Sequence, residues 1–157
     1  MVSANEFKDD ESKKLIKLNA FMKSFESNNF IYNPVLQLKK TNLHCLEVFI
    51  NQRKDNLSFC SMFFVCNTHT IYIEDYNKIF TSKKFTSDKD IQILFQSLIK
   101  EIFILFDNVY GKISPWKNIV LTTSIPENFD ILISLGFRQD KVLNHYGNTR
   151  FIYNHNS

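Results

Sequence analysis

The chain has 157 residues, 44% hydrophobic and 22% charged, the size and balance of one domain that buries a core without disulfides or a metal. That composition excludes disordered, collagen-like, coiled-coil and repeat architectures. The 19 Lys and Arg against 16 Asp and Glu leave a net charge of +3 with no block of like charge, and only Arg53, Arg138 and Arg150 offer the forked donors that grip phosphates and bases. A dedicated DNA reader is therefore not expected.

The first ten residues carry no apolar signal core, and no run reaches the roughly 18 apolar residues of a membrane span, so a soluble cytoplasmic protein is expected. Residues 1–8 are expected to be flexible. Asp9 to Phe25 reads as an amphipathic helix, with Leu15, Leu18, Met22 and Phe25 at helical spacing and Asp9, Asp10 and Glu11 at its positive N-terminal end. Its narrow stripe suits packing on its own sheet or on a second subunit in a homodimer.

Four strand-like runs follow with no helix between them: Phe30–Lys40, Leu43–Gln52, Leu57–Cys66 and His69–Asn77. Their short links predict antiparallel hairpins, because a parallel crossover needs a dozen residues or more. In the third run both alternating sets are apolar: Leu57, Phe59, Phe63 and Val65 on one side, Cys60, Met62, Phe64 and Cys66 on the other. This predicts a central strand in a sheet covered on both faces. Asp88–Asp107 is the clearest helix, with apolar residues from Ile91 to Phe106 at i, i+3, i+4 and i+7 after a Ser87-Asp88 cap.

Gly111 and Pro115 break the chain. Asn118–Ile125 then reads as a strand, Pro126–Leu135 as a short helix with Gly136 at its C-cap, and Arg138–Tyr146 with Thr149–Asn154 as a hairpin around Gly147-Asn148. Residues 1–157 thus predict one α+β domain with a mostly antiparallel sheet of six to seven strands, a long central helix and an N-terminal amphipathic helix.

From the meander onward this order resembles the GNAT superfamily of acyltransferases. The match is closest in Asn118–Tyr153, through Ile119-Val-Leu-Thr-Thr, Pro126-Glu-Asn128, Leu135-Gly136-Phe137-Arg138 and the final Tyr146–Tyr153 run. The resemblance implies acyl transfer from a coenzyme A or acyl carrier protein thioester to an amine of a small molecule or protein. It implies a carboxylate base on the strand before the long helix, here Glu74 with Asp75 beside it, active if partial burial raises its pKa. It places the donor at the start of that helix, among Lys78, Lys83, Lys84, Ser87 and Lys89, and second-site contacts at Tyr76 and Asn128.

Two positions depart from the pattern. The family's spaced glycines at the helix start, which let backbone N–H groups approach a pyrophosphate, fall here at Lys89 and Ile91, with Asp88 and Asp90 alongside. The family's frequent catalytic Tyr is Leu132. A non-catalytic protein-binding module on the same scaffold (an immunity, adaptor or anti-defence protein) is therefore the competing expectation.

Cys60, Cys66 and His69 lack the close ligand pairs of a structural zinc site, and no metal is expected. Cys45, Cys60 and Cys66 read as buried thiols rather than nucleophiles for His69 or His145. Phe59, Phe63, Phe64, Tyr72 and Tyr76 read mainly as core, with an acyl or partner groove as the alternative.

Overall fold

The computed structural model describes residues 4–38, 44–65, 68–74, 88–124, 126–140 and 149–155. In chain order these form α1 (Ala4–Ser24), β1 (Phe30–Leu38), β2 (His44–Gln52), β3 (Ser58–Val65), β4 (Thr70–Glu74) and α2 (Asp88–Tyr110). A 3-10 turn (Gly111–Ile113), β5 (Asn118–Thr123), α3 (Glu127–Ser134), β6 (Arg138–Gln139) and β7 (Thr149–Asn154) follow. Among the described residues the strands make one seven-stranded sheet in the order β1-β2-β3-β4-β5-β7-β6. Only β4 and β5 pair in parallel; the other neighbours are antiparallel. The expected α+β class, strand number and element order are found.

Parallel pairing of β4 with β5 follows from α2, the crossover between them. Ile91, Phe95, Leu98, Ile102 and Phe106 line one side of that helix and are buried. The stretch Ile102–Phe106, expected to be apolar all round, is buried except for half-exposed Ile104. The helix runs to Tyr110, a turn beyond the expected end, because the stop is Gly111 at φ +73 rather than Asp107. Leu15, Leu18 and Met22 of α1 are buried, and this helix packs on its own β1 and α2, the first of its two expected settings. It begins at Ala4, five residues earlier than expected.

Side chains of α1, α2 and α3 pack on one face of the sheet. Phe64 meets Phe106 edge-on at 5.0 Å, Trp116 stacks on Phe106 at 5.0 Å, Tyr153 lies 6.3 Å from Phe103, and Phe151 lies 5.2 Å from Phe129. Among the described residues no helix packs on the opposite face; Val35 and Phe49 there, on β1 and β2, are each 44% exposed, whereas Ser61 of β3 and Val120 of β5 are buried. One apolar residue of β3 departs from the expected alternation. Ile50 pairs with Cys60 and Asn51 with Ser58, leaving Phe59 as the extra residue of a β-bulge. Phe59 thereby joins the helix-side core, 5.2 Å from Phe30 and 6.1 Å from Phe95.

Candidate functional site

The parallel seam is short. Thr70, Ile71 and Tyr72 of β4 pair with Asn118, Ile119 and Val120 of β5, and the ladder stops there. Beyond it β4 continues through Ile73 and Glu74, still paired with Met62 and Ser61 of β3. On the other side β5 continues through Leu121, Thr122 and Thr123, still paired with Phe151, Arg150 and Thr149 of β7. Each strand keeps its outer neighbour while the two part from one another. The opening lies at their carboxyl ends, where ligands settle in parallel α/β units because backbone groups there lack a ladder partner. The N-terminus of α2, bringing the positive end of its dipole, belongs to the same end of the β4–α2–β5 unit.

Glu74, the candidate base, is the last residue of β4 and is exposed, so the partial burial on which that role was conditioned is not observed. Lys89 and Asp90, in the first turn of α2, are both exposed. Asp75, Tyr76, Lys78, Lys83, Lys84 and Ser87 lie outside the described residues. Asn128 is 3% exposed, and its Nδ2 donates to Thr123 Oγ1 at 3.4 Å, so this side chain turns inward to fasten α3 to the end of β5. Leu132 is fully buried, so the missing tyrosine is replaced by core.

Two features hold this end together, one missed by sequence reasoning and one foreseen. Gln92 Nε2 donates to Ser134 Oγ at 2.7 Å, and that hydroxyl donates to Ile131 O at 2.6 Å, tying the start of α2 to the end of α3. The α3 terminus closes in a Schellman motif, with Gly136 N–H to Ile133 O at 3.1 Å and Phe137 N–H to Leu132 O at 3.0 Å. Gly136 stands at φ +101, as the Leu-Gly-Phe sequence predicts. The polar pair gave no sequence signal, since Gln92 and Ser134 lie 42 positions apart.

Other reactive groups lie elsewhere. A shallow cleft of about 230 Å³ lined by Gln96, Ile99, Lys100, Leu135 and Tyr153 is smaller than the ~300 Å³ at which small-molecule sites begin. Cys60 is a buried thiol near the start of β3, whereas His69 follows its far end beside Trp116, so roughly 16 Å of strand separates them. Cys66 lies outside the described residues, and no group of three metal-ligating side chains occurs among the described residues.

Glu101, midway along α2, has its carboxyl pushed up by burial, partly offset by the neighbouring hydroxyls of Ser27 and Tyr32. Tyr32 is in turn pushed up by burial and by the charges of Glu101 and Cys60. The hydroxyls lie near the carboxyl, yet Tyr32 Oη and Glu101 Oε2 make no hydrogen bond of acceptable geometry, so burial decides both directions.

No protein-family profile matches the chain, and no curated protein matches it. Solved structures give weak likenesses, three of which, to proteins described as acetyltransferases, are as follows. The N-terminal domain of ribosomal-protein-alanine acetyltransferase from Clostridium acetobutylicum is 9% identical, with 84% of this chain and 98% of that one covered and a TM-score of 0.47. A putative acetyltransferase from Sphaerobacter thermophilus is 9% identical, with 90% and 87% covered and a TM-score of 0.38. An acetyltransferase from Bacillus cereus is 13% identical, with 98% and 94% covered and a TM-score of 0.37. At these TM-scores the likenesses decide nothing about the chemistry, which rests on this chain's own residues. Among the described residues no helix is long and apolar enough to cross a membrane.

Proposed function

We propose that the chain is a GNAT-like acyltransferase, moving an acyl group from a thioester donor to an amine of a protein or small molecule. The observation that carries this reading is the parting of β4 and β5 after Tyr72 and Val120. Unladdered backbone groups on Ile73, Glu74 and Leu121 suit an extended donor arm bearing amides of its own. The start of α2 fits a diphosphate less well, since it has no glycine and Asp90 stands beside Lys89. A single phosphate, as on the arm of an acyl carrier protein, is the easier group for Lys83, Lys84, Ser87 and Lys89 to hold.

In the reaction the amine attacks the thioester carbonyl, the new C–N bond forms, and the C–S bond breaks with the electron pair leaving on sulfur. Glu74 takes the amine's proton, directly or through a water, from its exposed place on the rim. Asp75 stands with Glu74 as a second catalytic carboxylate, and Tyr76 and Asn128 as the acceptor-side residues, Asn128 through its hold on Thr123. With Leu132 in the core, the leaving thiolate takes its proton from water. That same replacement favours a second reading, a protein-binding module that has shed catalysis.

Thermal unfolding with acetyl-coenzyme A, longer acyl-coenzyme A and an acylated carrier protein separates the two, because a donor that binds the native state raises its Tm. The expected result is a rise with at least one donor, retained in Glu74→Gln while transfer to an amine falls about 100-fold or more. No rise with any donor would leave the binding module as the better account.

A further inference from the structure

Past the end of the parallel seam, side chains of opposite charge stand on its two sides, on the face of the sheet away from the helices. Glu74 lies two residues beyond Tyr72 and Thr122 two beyond Val120, so both project to that face, and both are exposed. Arg150 of β7 pairs with Thr122, and Arg138 of β6 pairs with Ile152, which makes the two arginines diagonal neighbours on the same face. Arg138 is exposed, and 41% of the Arg150 side chain is open. Val120, one row down, and Ser61, on the far side of Glu74, are buried, so the accessible shelf is the strip from Glu74 to Arg138.

Asp140 Oδ2 lies 3.7 Å from Arg150 Nε, and neither arginine makes another ion pair among the described residues. Two guanidiniums against one carboxylate leave one positive charge at the β6–β7 end, across the opening from the negative charge of Glu74. Glu47, the other described carboxylate on this face, is on β2, two strands beyond Glu74. The chain has only three arginines, and two of them stand here. We propose that this shelf holds the amine acceptor, and that the acceptor is a free amino acid or a close analogue, its carboxylate on Arg150 and its amine at Glu74. The proposal rests on the acyl-transfer reading and names the acceptor class for it.

Size and charge both select such a molecule. Glu74 and Arg150 are two strand spacings apart, at least about 10 Å between Cα atoms, and their side chains narrow that distance from both ends. The Nε of Arg150 is buried beside Asp140, which leaves the η nitrogens as its donors to a ligand. A guanidinium fork matches the two oxygens of a carboxylate. One surplus positive charge suits a monoanion better than a phosphate monoester, which carries nearly two negative charges. An amine without a neighbouring carboxylate gains nothing from Arg150.

Ligand-observed NMR on the intact protein, with and without acyl donor, reads this binding directly. The probes are the common amino acids, each beside the amine left when its carboxylate is removed: leucine with isopentylamine, phenylalanine with phenethylamine. The expected result is at least one amino acid bound about 10- to 100-fold more tightly than its amine. That preference weakens with salt, is lost in Arg150→Gln and is partly kept in Arg150→Lys. Arg150→Gln leaves any donor-induced rise in Tm unchanged. Equal binding of amino acids and amines, no binding of either, or a preference that survives Arg150→Gln would overturn the inference. Amides of the same amino acids bound as tightly as the free acids would overturn it too. Donor binding is read separately: a chain that takes a donor but shows no carboxylate preference loses this inference alone, and one that holds amino acids through Arg150 but no donor loses the transferase reading alone.

Discussion

The carboxyl of Glu101 lies beside the side chains of Ser27 and Tyr32, and burial makes its protonated form the easier one to hold. The sign of the consequence follows from linkage. Its folded value lies above the unfolded one, so its contribution to stability is full below the ordinary carboxylate range and is lost as pH rises through the raised value. Glu101→Gln keeps the shape and removes the proton. Urea denaturation across pH 4 to 8 is expected to find the variant more stable than the parent at pH 8, with the difference shrinking towards pH 4. A variant less stable at pH 8 would show that the ionised carboxylate has a partner. Helical spacing placed Glu101 on the long helix but could not distinguish it from the solvent-facing polar residues. Its setting depends on Ser27 and Tyr32, which are distant in sequence and brought to it only by the fold.

At the scale of elements, turns and periodicity were legible and the bulge in β3 was not. The Leu-Gly-Phe sequence announced the end of α3 because a left-handed cap needs glycine, and Gly136 occupies one. An added Cβ would stand 3.2 Å from the Tyr153 ring at a φ that side chains rarely adopt. Gly136→Ala is therefore expected to cost about 1–3 kcal/mol, read as a fall of roughly 2–12 °C in Tm. Strand alternation failed at Phe59, since a bulge reverses the side of one residue and leaves no mark in the residue types. Phe59 lies 5.2 Å from Phe30 and 6.1 Å from Phe95 and is 1% exposed, so Phe59→Ala should cost about 3–5 kcal/mol in chemical denaturation. A cost under about 1 kcal/mol would mean that the bulge does not hold this ring in the core.

Over the whole molecule, hairpin lengths foretold the antiparallel meander, and the long helix marked the crossover that leads into the parallel β4–β5 seam. Where the seam ends was not legible, because it is set by how far β3 and β7 draw their partners apart, a balance between distant strands. The exposed position of Glu74 and the inward turn of Asn128 belong to the same geometry. Amide hydrogen exchange tests that opening directly, with and without saturating acyl-coenzyme A or acylated carrier protein. Donor lying between the strands is predicted to slow exchange in the segments holding Ile73–Glu74 and Leu121–Thr123 while β1 and β2 stay unchanged. Unaltered exchange at both segments under saturating donor would contradict the site.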